Sequence, residues 1–137
     1  MTPRLRPDDY NALASFRYAL RKFLRFSKRA LAVEADLTTE QYEALLALKA
    51  FARGRGLTIG DLSERLQVKH HTAVGLVDKL EALRFVRRQQ GVEDRRQVFV
   101  QLTPAGSRAL AKVAVIHRRE MRICSPEMIE ALLRLRK

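Results

Sequence analysis

The stretch "GLTIGDLSERLQVKHHTAVGLVDKLEALRFVRR", residues 56–88, constrains the fold more than any other part of the chain. Thr58 is followed three residues later by Asp61, a pair typical of a capping box at a helix start. Apolar residues then recur at helical spacing on either side of a short break, namely Ile59, Leu62 and Leu66, followed by Ala73, Leu76, Val77, Leu80 and Leu83. Two short amphipathic helices joined by a tight turn predict a helix-turn-helix, with its recognition helix over about residues 70–83.

The next stretch, "GVEDRRQVFVQLTPAG", changes from a helical period to a period of two. Residues 85–90 and 97–102 are expected to form two strands joined by "GVEDRR", which places a β-hairpin over about residues 85–102. Val98, Val100 and Leu102 alternate with glutamines, so we expect these three to face the core. Thr103 followed by Pro104 then predicts the start of another helix.

Longer helical patterns flank this region on both sides. Residues 8–34 form one predicted helix, and a second helix is capped by Thr38 or Thr39 and ended by Gly54. After the hairpin, one helix is expected to run to about residue 123, and Ser125 with Pro126 to begin another. The predicted fold is mainly α with a small β-hairpin: a winged helix-turn-helix at residues 37–103, between dimerisation helices at residues 1–36 and 104–137.

Charge and composition limit the classes of partner that the chain is expected to bind. The chain has 27 lysines and arginines against 15 acidic residues, a net charge of +12. Such an excess favours a polyanionic partner, nucleic acid first and an anionic membrane second. No apolar run approaches the ~20 residues of a membrane span, and "MTPRLRPDDY" lacks the apolar core of a secretory signal. With one cysteine, Cys124, no internal disulfide forms, so a cytoplasmic protein without membrane association is expected.

The sequence resembles the MarR family of bacterial transcription regulators. The resemblance rests on "LTTEQYEALLAL", "LSERLQVKHHTAVGLVDKLE" and above all "DRRQVFVQLTPAG", whose Asp-x-Arg tip, strand and "LTxxG" look like the family's wing. It implies a homodimer, with interleaved terminal helices, that binds palindromic double-stranded DNA. The chain departs from the family at Gln67 and Arg84, where glycine is usual, and a positive φ at either would cost about 1 kcal/mol.

Two groups of residues are expected to contact DNA. A recognition helix reads base edges with its N-terminal residues, and those candidates here are Lys69, His70, His71, Thr72 and Gly75. In the wing, we expect Arg96 to enter the minor groove, Asp94 to brace it, and Arg88 and Arg95 to contact phosphates. A solvated surface turn and a solvated hairpin tip are the plain alternatives for the two groups.

The predicted function is therefore sequence-specific DNA binding by a transcription repressor. The resemblance implies release by a small aromatic or phenolic acid-like effector, for which Tyr10, Arg17, Tyr18 and Arg21 are candidate pocket residues. A solvated helix face is the simpler explanation for the arginines, and core packing explains the tyrosines equally well. An unregulated nucleoid-type basic protein is the alternative. No catalytic set, cofactor motif or metal site is expected, although His117, Glu120 and Cys124 share a helix face. A redox role for Cys124 is a further open alternative.

Overall fold

A computed structural model describes residues 3–137, and about 70% of the protein is helical. Residues 1 and 2, part of the predicted segment 1–36, lie outside the described residues. The helices are α1 (Pro7–Ala35), α2 (Thr39–Phe51), α3 (Ile59–Leu66), α4 (His70–Ala82) and α5 (Pro104–Leu135), and the strands are β1 (Leu57–Thr58), β2 (Val86–Gln90) and β3 (Val98–Leu102). The predicted mainly α fold with a helix-turn-helix and a hairpin is confirmed.

The sheet has one strand more than predicted. Its order is β1-β3-β2, with both pairs antiparallel. The short strand β1 pairs Leu57 with Val100, and β2 pairs Val86 with Leu102. Two residues are too few to show an alternating pattern, which is why β1 escapes detection in the sequence. Its presence makes β3 the central strand and leaves β2 at the edge of the sheet.

The predicted helix caps are largely confirmed. Thr38, rather than Thr39, caps α2: its hydroxyl accepts the backbone N–H of Gln41 at 3.1 Å, and the Gln41 side chain accepts the N–H of Thr38 at 2.9 Å. Thr58 and Asp61 form the same reciprocal pair at the start of α3, both at 3.0 Å. The predicted end of α2 at Gly54 is late, since the helix ends at Phe51 with Ala52 as its C-cap.

The chain divides into two compact units whose boundaries fall inside α1 and α5. The first, which we call the winged unit, spans Leu31–Val113 and contains α2, α3, α4 and the sheet. One hydrophobic core holds it together, with Leu45, Leu62, Val77, Leu80 and Val100 at 0 or 1% exposure. Burying such side chains stabilises by about 1.5–3 kcal/mol each, so the helix-turn-helix and the hairpin are fixed on a common core.

The alternation predicted for β3 is wrong at one position. Val100 is buried as expected, but Val98 is 38% exposed and Phe99 is buried. Phe99 is covered by the loop before β1, where the Arg55 guanidinium lies 5.1 Å from the centre of its ring. Because β3 is the central strand and this loop covers part of its second face, neighbouring residues on both faces are buried.

The second unit, which we call the terminal-helix unit, contains α1 up to Ala30 and α5 from Ala114. The predicted helix break at Ser125 and Pro126 is wrong, because α5 continues through the proline. Ion pairs with α1 hold the part of α5 that follows the proline: Lys22 with Glu127 at 3.3 Å, and Arg134 with Asp8 at 3.2 Å. A proline inside a helix costs about 3 kcal/mol, and these contacts help to offset that loss. None of the helices formed by the described residues is long and apolar enough to cross a bilayer.

Candidate nucleic-acid interface

The N-terminal end of α4 is exposed and has no side-chain cap. Lys69 is its N-cap residue, and no side chain caps the helix. The first turn has no acidic residue, and Lys69, His70, His71 and Thr72 are all exposed. An α-helix leaves its first N–H groups without intrahelical partners and carries partial positive charge there. This end therefore presents hydrogen-bond donors and positive potential to a polyanion.

Gly75 lies one turn further along α4. A Cβ atom added there would meet nothing within 4 Å, whereas Ala73, Val77 and Leu80 are buried in the core. The absence of a side chain at Gly75 thus leaves open space beside the helix backbone, which allows a ligand as large as a DNA strand to approach it closely.

The two departures from the expected glycine pattern both have left-handed backbone. Gln67, with φ 53°, follows α3, and its side-chain amide donates to the Glu64 carbonyl at 2.7 Å. Arg84, with φ 64°, follows α4, and its N–H donates to the Glu81 carbonyl at 2.9 Å. A left-handed conformation costs a non-glycine residue about 1–2 kcal/mol. The turn and the exit from α4 therefore keep the geometry that glycine would give, at some cost in stability.

At the wing tip, Asp94 holds the backbone and the side chain of Arg96. The Asp94 carboxylate accepts the backbone N–H of Arg96 at 3.0 Å and its Nε–H at 3.2 Å. These hydrogen bonds lower the pKa of Asp94, first through the arginine side chain and then through its backbone. The Arg96 side chain remains 92% exposed. The expected Asp94–Arg96 contact is present, and it holds the base of the arginine while leaving most of the side chain accessible.

Arg88, a predicted phosphate contact, forms ion pairs within the winged unit. Its guanidinium donates to Asp78 Oδ1 at 2.5 Å and to Glu81 Oε1 at 2.7 Å, both on α4. The Arg88 backbone N–H also donates to Glu81 Oε2 at 3.1 Å. Burial lowers the pKa of Arg88, but the hydrogen bonds to the two carboxylates raise it overall. Arg88 thus connects β2 to α4.

Comparison with known proteins shows similarity to one family of regulators. A sequence profile of the MarR family matches residues 35–97, from the end of α1 through the helix-turn-helix and wing tip. The fold also matches AbsC, a MarR family transcriptional regulator from Streptomyces coelicolor, with a TM-score of 0.76 and 24% identity over 90% of this chain and 82% of AbsC. Over this region the chain is similar to the MarR family, and its fold matches that of MarR winged-helix regulators.

Two relatives of this chain are regulators by name. It is 29% identical over 104 residues to the uncharacterized HTH-type transcriptional regulator YfiV of Bacillus subtilis, covering 73% of this chain and 63% of YfiV. It is 36% identical over 76 residues to the transcriptional activatory protein BadR of Rhodopseudomonas palustris, covering 55% of this chain and 43% of BadR. The chain thus spans less than two thirds of the length of either relative. A structure of a single-residue mutant of S. aureus MepR bound to an oligodeoxyribonucleotide is 25% identical, with a TM-score of 0.66 over 90% of this chain and 92% of MepR.

The candidate effector residues are spread along one helix. Tyr10, Arg17, Tyr18 and Arg21 are all on α1, and the Lys22 ammonium lies 4.6 Å from the centre of the Tyr18 ring. Tyr10 and Tyr18 are about 60% exposed.

The set His117, Glu120 and Cys124 is likewise not brought together as a metal site. Within residues 3–137, no three histidine, cysteine or acidic side chains are grouped closely enough to hold a metal ion. His117 is instead buried, with its Nε2 atom 2.7 Å from the Ser27 hydroxyl. Cys124 is partly exposed, and burial raises the pKa of its thiol, with the charge of Glu120 adding to the effect.

Sequence reasoning missed the carboxylates Asp78 and Glu81 as partners of Arg88. They lie three residues apart on α4, and so on one helix face. A pair of acidic residues on a helix expected to bind a polyanion was the available signal, because such a pair opposes binding unless a nearby cation neutralises it.

Proposed function

We propose that this protein is a sequence-specific, double-stranded DNA-binding transcription regulator that acts as a homodimer on palindromic sites in the cytoplasm. The observation that carries the proposal is the exposed, acid-free start of α4 on the same rigid core as a wing whose Arg96 is 92% exposed. Basic and donor groups on two adjacent protrusions match the two grooves of DNA. Similarity to the MarR family and to MepR, which has a DNA-bound structure, supports the same function.

In the proposed complex, α4 enters the major groove by its N-terminal end. Lys69, His70, His71 and Thr72 would then face base edges and phosphates, with Gly75 allowing close approach of the backbone. The two recognition helices of a dimer would lie in successive major grooves, about one helical turn of DNA apart.

The wing would lie along the flanking minor groove. Arg96 is the residue we propose to insert, since its planar cation suits a narrow, electronegative groove. Arg95, also exposed, would contact phosphate. Arg88 would act indirectly, by fixing the wing against α4 through Asp78 and Glu81.

A homodimer is supported by apolar residues left uncovered in a single copy of the terminal-helix unit. Ile123 is 68% exposed, and Ile129, Leu132 and Leu133 are each about half exposed. Contiguous apolar surface of this kind is typical of protein–protein interfaces. Light scattering at micromolar concentration should give twice the 15.7 kDa protomer mass, and a stable monomer would contradict the proposed architecture.

Repression relieved by a small aromatic or phenolic acid-like effector is the regulatory mode we propose, by resemblance to the family. The relative BadR is named as an activatory protein, so the direction of regulation needs its own test. A reporter gene downstream of a bound site, measured with and without the protein, separates the two: higher expression without the protein supports repression, and lower expression supports activation.

DNA binding itself is tested by selecting bound fragments from sheared genomic DNA and measuring their affinity by fluorescence anisotropy. We expect a palindromic fragment to bind at least about a hundredfold more tightly than its scrambled control, with an affinity that falls steeply as salt rises. Equal affinity for both duplexes would favour the alternative of an unregulated nucleoid-type protein.

A further inference from the structure

The net charge of the protein is concentrated in the terminal-helix unit. That unit has 14 lysines and arginines against five acidic residues, a net charge of +9, whereas the winged unit has 13 against ten, a net charge of +3. The proposed DNA contacts all lie on the winged unit. They therefore account for the smaller part of the excess that indicated a polyanionic partner, and the larger part needs a separate explanation.

This charge is densest on α1. Residues 10–33 contain six lysines and arginines and no acidic residue. Four of the six follow one another at spacings of four, four and three residues, which places them on one face of the helix over about 16 Å. We call this row the α1 stripe, and its members are Arg17, Arg21, Arg25 and Lys28.

The α1 stripe has no counter-charge within the described chain. All four side chains are exposed, and none of them forms an ion pair or a hydrogen bond with any residue from 3 to 137. Lys22, which lies off the stripe, is by contrast paired with Glu127 at 3.3 Å. Like charges three or four residues apart destabilise a helix. The chain thus keeps a repulsion along this face that one acidic residue among the cations would relieve.

A second copy of this chain and a lipid bilayer are both poor partners for the α1 stripe. A second copy brings the same excess of positive charge, and Asp8, Asp9 and Glu127 of its five acidic residues in this unit are already paired with its own cations. An amphipathic helix binds a bilayer by inserting its apolar face. The face of α1 opposite the stripe is already buried within the protein, at Ala19 and Ser27.

The chemistry of the stripe matches the backbone of a nucleic acid. One strand of a duplex presents a phosphate about every 3.4 Å along its axis, so a straight row of cations meets a regular row of anions. Three of the four cations are arginines, whose planar guanidinium binds phosphate through two parallel hydrogen bonds.

We propose that the α1 stripe binds the phosphate backbone of double-stranded DNA, as a second contact surface that is independent of base sequence and lies outside the winged unit. The phosphates belong either to the duplex that the winged unit holds or to another duplex, and the chemistry is the same for both. Because the stripe contacts no bases, it raises the affinity for all duplexes alike.

The test measures binding to a random duplex of about 40 base pairs by fluorescence anisotropy. The stripe variant is Arg17→Gln/Arg21→Gln/Arg25→Gln, since glutamine is as good a helix former as arginine. At about 100 mM salt it should bind at least about tenfold more weakly than the wild type. The plot of log affinity against log salt should lose about 2–3 units of slope, because each phosphate contact contributes about one.

The matched control is Arg4→Gln/Arg136→Gln/Lys137→Gln. It removes the same charge from exposed positions of the same unit that lie off the stripe, and it should bind within about twofold of the wild type. Equal losses from the two triple variants would show that only net charge matters. An unchanged salt slope in the stripe variant would show that the stripe contacts no phosphate. Either result overturns the proposal.

Stability and mass exclude a structural role for the arginines. Because the like charges repel one another, the stripe variant should melt at the wild-type temperature or above it and should have the wild-type mass in light scattering. Arg17→Lys/Arg21→Lys/Arg25→Lys, which keeps the charges, should retain most of the affinity. A lower melting temperature or a smaller mass in the stripe variant would assign the arginines to packing or to the dimer interface, and the proposal would be wrong.

A palindromic duplex and its scrambled control separate this proposal from the proposed function. The stripe variant should lose the same affinity for both duplexes, so that their ratio is unchanged, whereas Arg96→Ala should lower the ratio. A wild-type protein without any preference for the palindrome would contradict the proposed function, while the result on the random duplex would still decide the role of the stripe.

Two further measurements identify the source of the anionic groups. Energy transfer between two differently labelled duplexes, at protein concentrations that saturate the wild type and the stripe variant, indicates a second duplex if the variant abolishes it. Without transfer, the phosphates are those of the duplex that the winged unit holds. Polyglutamate that displaces the random duplex as effectively as unlabelled DNA of equal charge would assign the stripe to acidic proteins and refute the proposal.

Discussion

Replacing Arg88 by methionine tests whether this residue positions the recognition helix or contacts DNA. Methionine keeps most of the side-chain length but removes both hydrogen bonds to Asp78 and Glu81. A hydrogen bond to a charged group contributes about 1.5–3 kcal/mol when well shielded. A solvent-exposed ion pair contributes about 0.2–1 kcal/mol.

The energy that Arg88 contributes is expected to lie between these limits. Its side chain is 27% exposed, but Asp78 is 61% and Glu81 43% exposed, so solvent screens much of each interaction. We therefore expect Arg88→Met to lower the free energy of unfolding by about 1–2 kcal/mol. With an unfolding entropy of about 2.1 cal/mol/K per residue and 137 residues, the melting temperature should fall by roughly 3–7 °C.

The assay is urea unfolding followed by circular dichroism, performed as a double-mutant cycle with Glu81→Gln. A direct interaction predicts a coupling energy of about 1 kcal/mol between the two positions. Arg87→Met is the matched control: it removes the same charge from the neighbouring residue of β2, whose side chain bonds only to the neutral Gln101 in this structure. We expect it to lower stability by less than about 0.5 kcal/mol.

DNA binding distinguishes the two roles. A phosphate contact predicts that Arg88→Met reduces the salt dependence of binding by about one unit of slope and that Glu81→Gln strengthens binding by removing a negative charge. A positioning contact predicts weaker specific binding for both variants, with the salt slope nearly unchanged. A coupling energy below about 0.3 kcal/mol, together with a reduced slope, would refute the positioning role.

Three further results follow from the structure. Arg96→Ala should weaken specific DNA binding by about 1–3 kcal/mol in an anisotropy titration without changing the melting temperature, and unchanged affinity would exclude the minor-groove role. The same variant should raise the pKa of Asp94 towards its usual value in an NMR titration; because the folded-state pKa is depressed, this carboxylate's contribution to stability is present above the unfolded pKa and lost as pH falls through the folded value. Gly106→Ala should destabilise by about 1–3 kcal/mol, since its Cβ would strike the Phe85 carbonyl, whereas Gly75→Ala should leave stability equal or up to about 1 kcal/mol higher while weakening DNA binding; a melt in which the two variants behave alike would contradict the packing.

The elements that sequence reasoning predicted are those governed by local rules. The capping box at Thr58 and Asp61 and the apolar spacing of α3 and α4 each depend on a few neighbouring residues. Such patterns are visible in a single sequence because the interactions that satisfy them lie within one or two turns of the chain.

The wrong predictions share a different cause. Pro126 within α5 and the buried Phe99 beside an exposed Val98 both depend on contacts made by distant segments. Local propensity favours a helix break before a proline and strict alternation in a strand. Packing of α1 beside α5, and of the loop before β1 over β3, overrides each preference. The ion pairs of Arg88 also depend on distant residues: its charge is visible in the sequence, but its partners on α4 are not.

One junction connects the proposed DNA-binding surface to the start of α5 within the winged unit. The Thr103 N–H donates to the Phe85 carbonyl at 3.0 Å, and its hydroxyl donates to the Arg84 carbonyl at 2.6 Å while also accepting the Gly106 N–H. Arg84 holds its left-handed conformation at this point, where α4 ends and β2 begins. The first turn of α5 cannot shift without breaking these bonds or moving the exit of α4 with it. A ligand that displaced the start of α5 would therefore have to break these bonds or move the exit of α4.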